Sequence, residues 1–237
     1  MSILYQYLHS DEPDIIAFQE VSYYRGMLQV ANILDSLQYE FVYNTAHIWK
    51  GREEGLIIAS KYPIIQKKVI VLPKAPNDEN RIALFVQCKV GEPNSMVTMI
   101  NTHLTYVINN TEARLQQLRA VLQHASEIVD KQESVILCGD FNEDYKYGGV
   151  YDEIINNSRT KFRDTWENQY DKGITFSSYN PYVVAELWPD RRLDYIFYSK
   201  GLFSTQSSHL VMNSIVNKTI CSDHYGILAY IEKESKQ

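Results

Sequence analysis

Five short polar strings punctuate this chain, and each stands at one end of an apolar run of strand length. They are Gln19-Glu20, Asn101-Thr102-His103-Leu104, Gly139-Asp140-Phe141-Asn142, Arg192-Leu193-Asp194-Tyr195 and Ser222-Asp223-His224. Glu20, His103 and Asp140 follow the carboxyl end of a run, whereas Asp194 and Asp223-His224 precede the amino end of one. If neighbouring strands run antiparallel, those ends share one edge of the sheets, and acids and imidazoles distant in sequence line a single mouth. Asp140 and Asn142 are two apart, so an extended backbone projects both to one side while Phe141 turns into the core.

The rest of the chain is consistent with such a fold. Buried or half-buried strands are predicted at Asp14–Phe18, Glu40–Tyr43, Gly55–Ser60, Ile64–Leu72, Ile82–Val90, Met96–His103, Val135–Cys138, Leu193–Tyr198, His209–Val211 and Tyr225–Ile231. The apolar stripe Met27, Val30, Ala31, Leu34 and Leu37 predicts a helix over Tyr24–Leu37. Leu115, Leu118, Val121, Leu122, Ala125, Ile128 and Val129 predict a longer one over Glu112–Lys131, capped by Asn110 or Thr111. A short helix is expected near Val150–Asn156. Strands in hairpin-like runs with a few helices between them imply sheets packed face to face with helices outside.

With 237 residues and no Gly/Ser- or Pro-rich linker, the chain reads as a single domain over residues 1–237, since the polar strings come from both halves. A net charge of −6 argues against a surface built to coat duplex DNA. Lys67-Lys68 and Arg191-Arg192 are the candidates for a local basic groove, with a solvated face as the commoner role for such pairs. Cys88, Cys138 and Cys221 are an odd number without metal-ligand spacing, which leans towards a reducing, cytoplasmic setting, while any signal segment would lie upstream of Met1. No apolar stretch approaches the roughly 20 residues of a membrane span.

Taken together, the five strings resemble the endonuclease/exonuclease/phosphatase superfamily, whose members include deoxyribonuclease I-like nucleases, apurinic endonucleases, neutral sphingomyelinases and inositol polyphosphate 5-phosphatases. The resemblance spans nearly the whole chain. It implies a four-layer α/β/β/α sandwich of two mixed, largely antiparallel sheets, and hydrolysis of a phosphoester by water with Mg²⁺, or Mn²⁺ in its place. By the same resemblance Glu20 binds the metal, joined by Asp223 unless that carboxylate buttresses His224. Asp140 orients or deprotonates the attacking water, Asn142 donates to the phosphate or nucleophile, His224 meets the scissile phosphate with Asp194 holding its ring, and His103 stabilises the leaving group. Met1–Leu8 reads as part of a helix that the family places after a first strand bearing a metal-binding asparagine, so that strand is expected to be absent from this chain.

The segment Trp188–Tyr195 resembles the nuclease and sphingomyelinase branches more than the phosphoinositide phosphatases, so the substrate stays open between a nucleic acid or small phosphodiester and a lipid headgroup as in sphingomyelinases. A catalytically impaired binding module that keeps the fold is the alternative of another class. Aromatic residues, Trp188 among them, could stack on bases but are more often core.

Overall fold

The computed structural model describes residues 2–91, 95–131, 133–167, 169, 171–184, 189–200, 203–216 and 219–233. Trp188 lies outside them. Two sheets stack with helices on their outer faces. The first has the order β2-β1-β4-β3, built from β1 (Ile15–Tyr24), β2 (Met27–Leu28), β3 (Glu40–Trp49) and β4 (Arg52–Ser60). The second has the order β5-β6-β7-β8-β10-β9, with β5 (Ile64–Val71), β6 (Ile82–Val90), β7 (Ser95–His103), β8 (Ser134–Asp140), β9 (Phe162–Asp164) and β10 (Asp194–Ser199). A separate antiparallel ribbon pairs β11 (Phe203–Val211) with β12 (Gly226–Lys233). The expected pair of sheets is therefore present with one of them divided, because no strand of the described residues joins β12 to β1.

Alternation along the strands produces the layers. On β4, Leu56 and Ile58 face Ile82, Leu84, Val86 and Cys138 in the core between the sheets. Their neighbours Ile57 and Ala59 face outwards to Leu8 of α1 (Ile3–Asp11) and Leu34 of α2 (Ala31–Ser36). Likewise Ala83 and Phe85 of β6 turn away from Leu84 to meet Leu118, Val121 and Ala125 of α3 (Thr111–Val129). A side-chain period of two on strands and a helical stripe on α3 thus suffice to build four layers. The Asn110 side chain caps α3 by accepting the Ala113 amide at 3.3 Å. Among the described residues no helix is long and apolar enough to cross a membrane.

Three expectations need correction. The helix predicted over Tyr24–Leu37 shrinks to α2, because Arg25 and Gly26 take positive φ values of 52° and 80° and turn β1 back into β2. A two-residue hairpin turn of that conformation overrides the apolar stripe. The backbone is not extended through Asn142: β8 ends at Asp140, and Asn142 has φ 53°. Phe141 is nonetheless fully buried, edge-on to Tyr195 and Phe197. Finally, Arg192 is neither a groove cation nor part of a solvated face, since it is buried in a two-pronged ion pair with Asp164 at 2.6 and 2.8 Å. Lys67 and Lys68 are both exposed on β5 and, being adjacent, project to opposite sides of the strand.

Candidate active site

The carboxyl ends of β7 and β8 run parallel, and the amino end of β10 meets β8 from the opposite direction. The register sets His103 beside Asp140 on one side and Asp194 beside Asp140 on the other. This alignment depends on Gly139. Its φ is 140°, and a Cβ there would sit 1.9 Å from the Thr102 carbonyl oxygen, so no other residue lets β8 approach β7 this closely.

Two carboxylates directly opposite one another cannot both ionise freely. Burial, followed by the Asp194 charge, pushes Asp140 up to about 7. Asp140 Oδ1 accepts the Asn142 backbone amide at 2.8 Å, which fixes the carboxyl group at the strand end. His224 Nδ1 lies 2.8 Å from Asp194 Oδ2. Burial alone would lower the imidazole pKa, but Asp194, Asp140 and Asp223 outweigh it and raise His224 to about 10, so it is a cation at neutral pH. Ligand atoms of Asp140, Asp194 and His224 all lie within 4.8 Å of one another.

His103 behaves oppositely. Burial first, then the Arg81 and His224 charges, hold it well below the usual histidine range. A neutral ring 3.6 Å from Asp140 and 4.0 Å from Glu20 makes contacts that are neither ion pairs nor hydrogen bonds. The site thus contains one charged and one neutral imidazole on either side of a single carboxyl.

Glu20 stands at the rim. A bulge between Phe18 and Val21 interrupts β1, and Glu20 occupies it with φ 55°, an uncommon conformation for a residue with a Cβ. Its side chain is 63% exposed. The surrounding protein, then Glu54 and Asp223, raise its pKa, which marks a concentration of negative charge. Asp223 is exposed as well.

The structure brings Glu20, His103, Asp140, Asp194, Asp223 and His224 to the mouth of one cleft of about 930 Å³. Asn142 does not line it; its side-chain amide donates to the Leu104 carbonyl at 3.0 Å and holds the loop after β8. Several residues outside the candidate set position the site. Asn101, fully buried, donates to the carbonyls of Phe18 and Ile57 and accepts from Gln19, tying β7 to β1 and β4 across the sandwich. The buried Asn180 amide holds the carbonyls of Ser222 and Asp223, and the buried Thr175 hydroxyl accepts the amides of Leu193 and Asp194. Asn101 falls in the Asn101-Thr102-His103-Leu104 string and Asn180 in the turn dipeptide Asn180-Pro181, whereas Thr175 belongs to none of the five strings. His47, without a distinctive setting in the sequence, sits 3.2 Å from Glu54 on the Glu20 side of the site.

Residues 1–224 match the sequence model of the Endonuclease/Exonuclease/phosphatase family. A search of curated proteins finds no match. Among solved structures, the human Nocturnin catalytic domain with a bound sulfate anion is similar at TM-score 0.77 and 19% identity, covering 98% of this chain and 85% of that one. An endonuclease/exonuclease/phosphatase family protein from Leptotrichia buccalis is similar at TM-score 0.75 and 23% identity, with 97% and 91% covered. Truncated Caenorhabditis elegans TDP2 is similar at TM-score 0.73 and 22% identity, with 94% and 86% covered.

Proposed function

The chain belongs to the endonuclease/exonuclease/phosphatase family, and from that premise we propose that it is a metal-dependent phosphodiesterase whose attacking water is activated at Asp140. The observation that carries this reading is the triangle of Asp140, Asp194 and His224 within 4.8 Å at the mouth of a large cleft. A carboxyl with a pKa of about 7 is matched to taking a proton from water near neutral pH. His224, protonated and held by Asp194, offers its other ring N–H to a non-bridging phosphate oxygen. Neutral His103 would hydrogen-bond the leaving oxygen without adding a charge. Sulfate, similar to phosphate in shape and charge, binds the Nocturnin domain and supports an anion-binding role for this fold.

The donor set suits a hard divalent cation. Glu20 and Asp223, with Glu54 nearby, crowd exposed carboxylates whose mutual repulsion such an ion relieves. Glu20 and Asp223 would hold Mg²⁺, or Mn²⁺, which when bound supplies Lewis-acid stabilisation of the phosphate charge. Candidate substrates are nucleic acids, nucleotides and lipid headgroups. Hydrolysis of bis(p-nitrophenyl) phosphate and p-nitrophenyl phosphate, with Mg²⁺ and with a chelator, tests the reading. Turnover of the diester that disappears on chelation is the expected result; no hydrolysis of either ester with Mg²⁺ or Mn²⁺ would overturn it.

A further inference from the structure

The edge of the molecule that carries the site also gathers exposed apolar groups. β1 runs past Glu20 and turns into β2 at Arg25-Gly26, and β3 turns into β4 at Lys50-Gly51, so two hairpin tips project side by side. The pairing sets Met27 opposite Tyr24 and Trp49 opposite Arg52, and the Arg52 guanidinium reaches the Tyr24 ring. These four side chains form a row on the face of the sheet that Glu54 shares. Tyr23 and Ile48, both opposite Glu53, occupy the other face. Met27 and Ile48 are each 71% exposed, and the three rings of the tips are exposed with them. Elsewhere on this edge Ile108 follows β7, Tyr147 follows β8 and Tyr179 precedes β10, all exposed. Away from it, among the described residues, stand Ile65 at the start of β5 and Tyr230 within β12. Such a concentration marks an interaction surface.

The charge of the tips narrows the partner. Tyr24–Leu28 and Trp49–Arg52 hold Arg25, Lys50 and Arg52 and no acid, on a chain whose net charge is −6. Arg25 and Arg52 lie 5.0 and 5.5 Å from the centre of the Tyr24 ring, and Lys50 lies 5.0 Å from that of Trp49. Cations and amphipathic rings therefore stand together at the tips. Glu20, at the acidic mouth, stands back from Tyr24 by roughly 13 Å of strand.

We propose that this edge docks on the surface of an anionic phospholipid bilayer, with the two hairpin tips entering the interface and the mouth of the site held over the headgroups. A bilayer surrounds a tip, so it takes up apolar groups on both faces, rings at headgroup level and cations against lipid phosphates. A nucleic-acid strand stacked on the Tyr24 and Trp49 rings would cover one face and leave Tyr23 and Ile48 in water. A folded protein would need a hollow for each of these separate points, whereas a fluid surface needs none. The substrate class this names, a phosphodiester held in a membrane, rests on the hydrolase reading above; the docking itself does not.

Flotation of the full chain with vesicles of phosphatidylcholine and phosphatidylserine, and of phosphatidylcholine alone, tests it. Binding that requires phosphatidylserine is expected. Ile48→Ser combined with Trp49→Ser should weaken it by about tenfold or more, and Lys50→Glu by about fivefold, with Ile65→Ser unchanged and all variants folded by circular dichroism. Hydrolysis of soluble bis(p-nitrophenyl) phosphate by the double variant should match the wild type, so loss of docking and loss of the hydrolase reading are read separately. No vesicle binding, equal binding to both vesicles, or binding unchanged in the double variant would overturn the proposal. Binding of a single-stranded oligonucleotide that the double variant abolishes, with vesicles left unbound, would name nucleic acid instead.

Discussion

The six-stranded sheet and the half formed by the four-stranded sheet and the ribbon contribute differently to one site. From the former come Asp140, with a side chain 10% exposed, and His103, both locked by register between paired strands. From the latter come Glu20, 63% exposed in a bulge, and Asp223 in a loop. Groups whose pKa values are strongly displaced belong to the closed half or lean on it, as His224 does through Asp194. Groups that stay near solvent belong to the open half. In the function proposed above, proton chemistry falls to the closed wall and cation binding to the open one, a division with energetic consequences.

The largest expected effect is at Gly139. Gly139→Ala should abolish soluble folding or destabilise by more than about 4 kcal/mol, because it meets a backbone oxygen and an unfavourable φ together. Gly226→Ala on the ribbon meets chiefly a Val211 methyl at 2.9 Å and should change stability by about 1 kcal/mol or less. Urea unfolding of the two variants makes the comparison, and equal losses would erase the distinction between the halves. Next comes Asn101, which joins them. Asn101→Ala leaves the carbonyls of Phe18 and Ile57 without that donor and should cost about 2–3 kcal/mol; a loss below about 0.5 kcal/mol would mean the halves are not coupled there.

A smaller effect concerns pH. Asp140 has a folded pKa raised above its unfolded value, so its stabilising contribution is full below the ordinary carboxylate range and is lost as pH rises through about 7. Asp140→Asn, which keeps an acceptor for the Asn142 amide, should therefore unfold at a higher temperature than the wild type at pH 8 and at a similar one at pH 4. The opposite order at pH 8 would show that Asp140 is not strained by its neighbours.

Much of this was legible in the chain because strand ends follow from alternation and punctuation. The meeting of Asp140 and Asp194 required only that β8 and β10 be antiparallel neighbours. The opposite charge states of His103 and His224 were not legible, since they depend on burial and on carboxylates brought in from other strands. Nor was the inter-sheet role of Asn101, whose partners are the carbonyls of residues 18 and 57. The helix predicted over Tyr24–Leu37 failed because a two-residue turn decides locally what an apolar stripe only suggests.

The central claim is that Asp140 and His224 perform chemistry and do not merely support the fold. Turnover of bis(p-nitrophenyl) phosphate with Mg²⁺ by Asp140→Asn and His224→Ala, with thermal unfolding of the same samples, measures this directly. Each variant should lose on the order of a hundredfold to ten-thousandfold in turnover while remaining cooperatively folded. Wild-type turnover in either variant would contradict the account.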